Sequence, residues 1–265
     1  MRKIIDAHCH IYPDKIAERA TAATGDFYSI PFACDGKVST LKKEDERAGI
    51  THCIVQSVAT APKQVSSINH FIADSCGENE NLTGLGTLHP DSDDQERDIK
   101  ELISLGLKGV KLHPDIQKFK IDDYRCLKIY ELCEKNNLPI LMHTGDSRYD
   151  YSNPNRLIPI LEIYDKLTII GAHFGGWSIW KDAAKRLNGF KGLFVDSSSA
   201  LYALKRGEAE EIIKLYGAER VLFGTDFPMW APKEELDRFM ALDLKEADRE
   251  KILWENSARL FDIDI

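Results

Sequence analysis

Histidine and aspartate recur along this sequence where short apolar runs give way to polar ones. His8 and His10 follow Ile4-Ile5, His89 follows the run at 82–88, His113 and His143 close the runs at 109–113 and 139–143, His173 closes 168–173, and Asp226 follows 221–225. Six of the eight histidines stand at such ends. If each run is a strand of one parallel barrel, all these ends meet on a single face, and residues far apart in sequence reach a common point. His8 and His10, two apart on a strand, share a side of it. Neutral imidazoles with one carboxylate are the donors of a catalytic zinc that keeps a position open for water. A His-x-His pair alone says little. Joined by His143, by His173 in Gly171-Ala172-His173-Phe174-Gly175-Gly176 and by Asp226 in Gly224-Thr225-Asp226-Phe227-Pro228, it points to a metal site.

The elements that must position these groups are legible as alternation. Apolar runs rich in Val, Ile and Leu fall at 3–8, 53–58, 82–88, 109–113, 139–143, 168–173, 192–196 and 221–225, each followed by a polar, helix-patterned stretch such as 40–48, 63–79 or 123–135. Eight such units across 265 residues predict one α/β domain over 1–265, a (β/α)₈ TIM barrel of roughly the usual 250 residues. No G-x-G-x-x-G follows the first strand, so a nucleotide-binding doubly wound sheet is not expected. Residues 11–38 form the longest connection, a long loop after strand 1 carrying Tyr12, Phe27, Tyr28 and Phe32. Leaving the first strand beside His8 and His10, it reads as a cover for the site.

Composition narrows the partners. A formal charge of −8 without a basic cluster disfavours nucleic acid, and no run approaches the ~18 apolar residues of a membrane span. The start lacks a signal-peptide pattern. Six scattered cysteines without a C-x-x-C pair suit reduced thiols. The expectation is a cytoplasmic protein acting on a small molecule. Cys9, between the two histidines, is expected on the opposite side of its strand.

With these residues in view, the chain resembles the amidohydrolase superfamily, in the branch that includes aminocarboxymuconate-semialdehyde decarboxylase, aromatic-acid decarboxylases and lactone hydrolases. The resemblance spans nearly the whole chain and rests on Asp6-Ala7-His8-Cys9-His10, Lys111-Leu112-His113-Pro114, His143, His173, Gly224-Thr225-Asp226-Phe227-Pro228 and Asn256-Ser257-Ala258-Arg259-Leu260-Phe261. It implies metal ligation by His8, His10, His143 and Asp226, with His173 acting beside the metal. A divalent ion lowers the pKa of bound water, and Asp226 is the expected acceptor of that water's proton. One divalent ion is expected, zinc ahead of manganese, with a second metal left open because some superfamily members bridge two metals through a lysine at the place of Lys111. A homodimer is a further family-based expectation.

Substrate contacts are expected from His113, Lys111, Arg148 and Trp177, with Tyr149 and Trp230 as further wall candidates. Arg148 would suit a carboxylate through paired hydrogen bonds. For Lys111 an internal ion pair with a barrel carboxylate is an equal alternative. The sequence places hydrolysis of a small ester, lactone or amide by a metal-activated water first. Non-oxidative decarboxylation of an unsaturated or aromatic acid stands second, and a non-catalytic metal-binding barrel third.

Overall fold

A computed structural model describes residues 2–264. Strands β1 (Ile5–His10), β2 (His52–Gln56) and β3 (Leu82–Gly84) form one parallel set, and β4 (Gly86–Thr87), β5 (Val110–Leu112), β6 (Ile140–Met142), β7 (Ile169–Gly171), β8 (Leu193–Asp196) and β9 (Val221–Leu222) form another in sequential order. The two sets are one ring. Leu85 N–H donates to Val55 O at 2.9 Å across the gap between β3 and β4, which are two halves of the third strand expected from sequence. At the other seam Ala7 N–H donates to Phe223 O at 2.8 Å and Asp226 N–H to His8 O at 2.9 Å. Eight strands thus close a (β/α)₈ barrel.

Helices α1 (Asp14–Tyr28) and α2 (Val38–Ala48) lie between β1 and β2, α3 (Val65–Gly77) between β2 and β3, and α4 (Gln95–Ser104) between β4 and β5. Next come α5 (Pro114–Gln117) and α6 (Leu127–Lys135), α7 (Leu157–Ile163), α8 (Trp180–Leu187) and α9 (Glu208–Tyr216), one crossover at a time. The chain ends with α10 (Pro232–Met240), α11 (Glu246–Glu250) and α12 (Asn256–Phe261). Among the described residues no helix is long and apolar enough to cross a membrane.

Alternation along the strands divides the apolar residues into two cores. Ile5, Ile54, Leu85, Leu141, Ile170 and Leu222 fill the barrel interior, closed by Phe261 from α12, whereas Cys9, Val55, Val110, Leu112, Ile140 and Met142 face the helix layer. Strand β1 departs from strict period two, because its pairing with β2 shifts between Asp6 and Cys9. An extra residue inserted in this way bends the strand and re-aims its side chains. Ala7 therefore packs in the interior core below His8, and Cys9 turns to the outer layer.

Residues 11–38 differ from the loop expected. Their centre is the 15-residue helix α1, preceded by Pro13 and ended by Ser29 in the left-handed conformation (φ 55°). Alanine at 17, 20, 22 and 23 gives this stretch strong helix propensity. Few of its side chains are buried in the core, namely Ala17, Thr21 and Tyr28.

Candidate active site

The strand ends deliver a layer of polar side chains onto the floor of a cavity of about 1130 Å³, lined by His8, His10, Lys111, His113, His143, His173 and Asp226 among others. His8, His10 and Asp226 converge, with one donor atom from each within 4.8 Å of the other two. His8 Nε2 lies 3.2 Å from His10 Nε2 and 3.3 Å from Asp226 Oδ1. His143 is not part of that group. Its Nδ1 faces His173 Nε2 at 3.1 Å, its Nε2 lies 3.4 Å from Tyr28 Oη and 3.5 Å from Asp115 Oδ2, and its ring stacks on His113 at 4.0 Å. The four expected ligands thus form a trio and a neighbour joined through His173, whose ring also stacks on His8.

Two buried carboxylates beneath this layer fix its geometry. Asp196 Oδ2 accepts from His8 Nδ1 at 2.9 Å, and its Oδ1 accepts the backbone N–H groups of His173 and Ser198, each at 3.0 Å. Asp6 Oδ1 accepts the N–H groups of His8 at 3.0 Å and Thr225 at 2.9 Å, and its Oδ2 takes the Thr225 hydroxyl. These bonds oppose a conformational penalty. His173 (φ 60°) and Asp226 (φ 63°) both have left-handed backbones, which cost roughly 1–2 kcal/mol each for non-glycine residues and persist only where the surroundings enforce them. Asp196 and Thr225 escaped the sequence reading of the site. The signal was present for Asp196, since it ends the seventh predicted strand as the other candidates end theirs.

Protonation follows from burial and partners. Burial, assisted by Lys111 and neighbouring histidines, holds the imidazoles of His10, His113 and His143 well below the ordinary range. Burial likewise brings His173 down to about 4. All four are neutral at pH 7, the form that ligates metal or takes up a proton. Burial drives Asp196 upward, but facing His8 and His173 outweigh it and keep the carboxyl ionised. With Nδ1–H given to Asp196, His8 presents the Nε2 lone pair to the site. Similarly, His173 Nδ1 faces Ser198 O at 3.0 Å, which puts its hydrogen there and turns Nε2 toward the floor.

The donor set on the floor suits a cation. Lys111 Nζ lies 3.0 Å from His8 Nε2, so a positive group already faces that lone pair. Burial lowers the Lys111 ammonium to about 8. Its close partner is this histidine rather than the barrel carboxylate considered from sequence.

The loop candidates separate by position. Trp177 lines the cavity. Arg148 does not: its Nε and Nη2 grip Asp146, its Nη1 donates to Phe27 O at 2.8 Å, and its guanidinium packs over the rings of Phe27, Tyr28, Tyr149 and Trp177. That corrects the expectation of a substrate-carboxylate clamp, because the fork is already filled and fastens the end of α1. Trp230 Nε1 donates at 2.8 Å to Ser199 Oγ, which in turn donates to Asp226 Oδ2. Tyr28, named from sequence only as one aromatic of the connection, inserts its hydroxyl 2.7 Å from His113 Nε2.

Such a floor at the C-terminal mouth of a parallel barrel defines a class of enzyme in which strand-end imidazoles and an aspartate gather a metal. The chain belongs to the amidohydrolase family, whose model matches residues 5–263. Solved structures of similar fold include an uncharacterised TIM-barrel protein from Bordetella bronchiseptica, 23% identical over 98% of both chains with a TM-score of 0.80. Another is 5-carboxyvanillate decarboxylase from Sphingomonas paucimobilis, 14% identical over 100% of both chains with a TM-score of 0.77. A third, dihydroxybenzoic acid decarboxylase from Polaromonas sp. JS666, was solved with bound manganese and the inhibitor 2-nitroresorcinol; it is 16% identical over 99% of this chain and 97% of its own, with a TM-score of 0.76. A search of curated proteins found no match.

Proposed function

We propose that this protein is a metal-dependent carboxy-lyase that removes carbon dioxide from an aromatic acid. The observation that carries the reading is the pairing of a polar floor of imidazoles and Asp226 with walls that include Phe27, Tyr28, Phe32 and Trp177, a shape that takes a flat ring by its edges and faces. The decarboxylases of similar fold support it, and they reverse the order in which sequence alone put hydrolysis first.

His8, His10 and Asp226 would hold the ion, and His143, whose ring nitrogens face His173, Tyr28 and Asp115, stands beside them. A divalent metal there supplies positive charge that draws electron density from an acid bound beside it. Manganese is assigned ahead of zinc because the Polaromonas enzyme holds it. The ring-to-carboxyl bond breaks, its electron pair stays on the ring carbon, and that carbon takes a proton as carbon dioxide leaves. That proton comes from solvent: Asp226 or neutral His173, both on the floor, would take it up from water and pass it to the ring carbon. Tyr28 and Trp177 close the site against water and hold the ring.

The test is incubation of the manganese-loaded protein with a panel of hydroxybenzoates in deuterium oxide. The expected result is carbon dioxide release with one deuterium at the vacated ring carbon, abolished by chelation. Hydrolysis of small lactones in the same protein, with ¹⁸O from water in a new carboxylate and no carbon dioxide from any acid, would restore the hydrolase reading.

A further inference from the structure

Beyond the catalytic floor the cavity continues between two helices. On α1, Ile16, Ala20, Ala23 and Phe27 line it at spacings of four, three and four, which places them on one helical face. Across from them Ile68 and Phe71 of α3 line it too. None of these six side chains is buried in the core; Ala23 is exposed and the others are half-buried. The stripe from Ile16 to Phe27 spans eleven residues, about 16 Å at ~1.5 Å per residue. Two alanines in its middle leave room where larger side chains would fill the slot.

We propose that this slot receives an apolar extension of the substrate, so that the enzyme acts on an aromatic acid bearing a second ring or an alkyl chain rather than on a single-ring acid. This rests on the aromatic-acid reading above. Three features of the cavity support it. A volume of about 1130 Å³ exceeds the ~300–1,000 Å³ typical of small-ligand sites, and a lone ring on the floor would leave most of it to water. The slot is continuous with the floor, so whatever fills it is tethered to a group bound there. Ile16, Ala20, Ala23, Phe27, Ile68 and Phe71 give it an apolar strip, and burying several methylenes of a substrate chain against that strip is favourable. The polar residues beside them on the two helices, Lys15 and Arg19 of α1 and Ser67, His70 and Asp74 of α3, are all exposed, so they would stay in water around the extension.

The experiment compares binding of 2-hydroxybenzoate with its 4-hexyl, 5-hexyl and 4-phenyl derivatives to the manganese-loaded protein, read by quenching of tryptophan fluorescence. At least one extended acid is expected to bind tenfold or more tightly than the parent, and Ala20→Trp and Ala23→Trp, each filling the slot from a different turn of α1, are expected to erase that ratio. Binding of the parent with no gain for any extended acid overturns the slot proposal and leaves the aromatic-acid reading standing. A gain that survives both tryptophan variants also overturns it, because the extension then lies elsewhere. If none of the acids binds, the aromatic-acid reading fails and the proposal falls with it. If Ala23→Trp instead changes the oligomeric state, the slot is a contact between copies and the proposal is overturned.

Discussion

Asp196 Oδ2 accepts the Nδ1 hydrogen of His8 at 2.9 Å while Asp196 Oδ1 holds the backbone of His173 at 3.0 Å, so one carboxylate orients both residues. Carboxylates behind a ligating histidine typically matter 10–100-fold for metal affinity. Asp196→Asn is expected to weaken manganese binding by about that factor while far-ultraviolet circular dichroism stays unchanged. Calorimetric titration with manganese measures it, and an unaltered affinity would count against the orienting role.

His173 holds its hydrogen toward Ser198 O and its Nε2 toward the floor. His173→Ala is expected to retain one metal per chain and to lose about 10²-fold or more of the turnover, the scale of a general acid–base group. Full activity in this variant removes His173 from the chemistry; loss of the metal makes it a ligand.

Arg148 is the clasp of α1, through Asp146 on one side and Phe27 O on the other. Its side chain is 37% exposed, so the ion pair contributes less than about 1 kcal/mol to global stability. Arg148→Ala is therefore expected to leave the melting temperature within a few degrees of wild type but to speed proteolysis within 14–28. A bound aromatic acid should slow that cleavage in the wild type, since Tyr28 then packs against ligand. Equal cleavage rates in both proteins, with and without ligand, would dismiss α1 as a cover.

These expectations also mark what was readable in the sequence. The barrel was legible because eight apolar runs ended in polar residues at regular spacing, and the strand-end rule alone brought His8, His10, His113, His143, His173 and Asp226 to one floor. The family resemblance agrees with the matching family model. Three things were hidden. Helix α1 was missed because half of its four-residue stripe is alanine and the stripe faces a cavity rather than the core, so apolar periodicity carries little signal there. The separation of His143 from the trio depends on ring orientations set by Tyr28, Asp115 and His173, contacts between segments distant in sequence. Arg148 looked like a substrate clamp because nothing in the sequence tells that Asp146, two residues earlier, folds back onto it.

Asp45, away from the site, gives a stability test with a definite sign. Burial raises its carboxyl to about 8, well above the ordinary aspartate range, only partly offset by the hydrogen bond from Cys53 Sγ at 3.0 Å. Between pH 4 and 8 the folded protein keeps a proton that the unfolded chain has released, so stability is full below about 4 and falls as pH rises, by up to about 1.4 kcal/mol per unit. Glu235, raised by burial to about 7, adds in the same direction. Urea unfolding at pH 5 and 8 should show the fall, and Asp45→Asn should reduce it to the part due to Glu235. An identical slope in the variant would mean that Asp45 is ionised in the folded state.

All of the proposed chemistry requires a metal centre at the barrel floor. The most direct measurement of that centre is the metal content of the wild-type protein and of the His8→Ala/His10→Ala double variant after manganese loading and desalting, with folding followed by circular dichroism. One divalent ion per wild-type chain and none in an equally folded double variant is the predicted result. Full stoichiometry retained without His8 and His10 would contradict it.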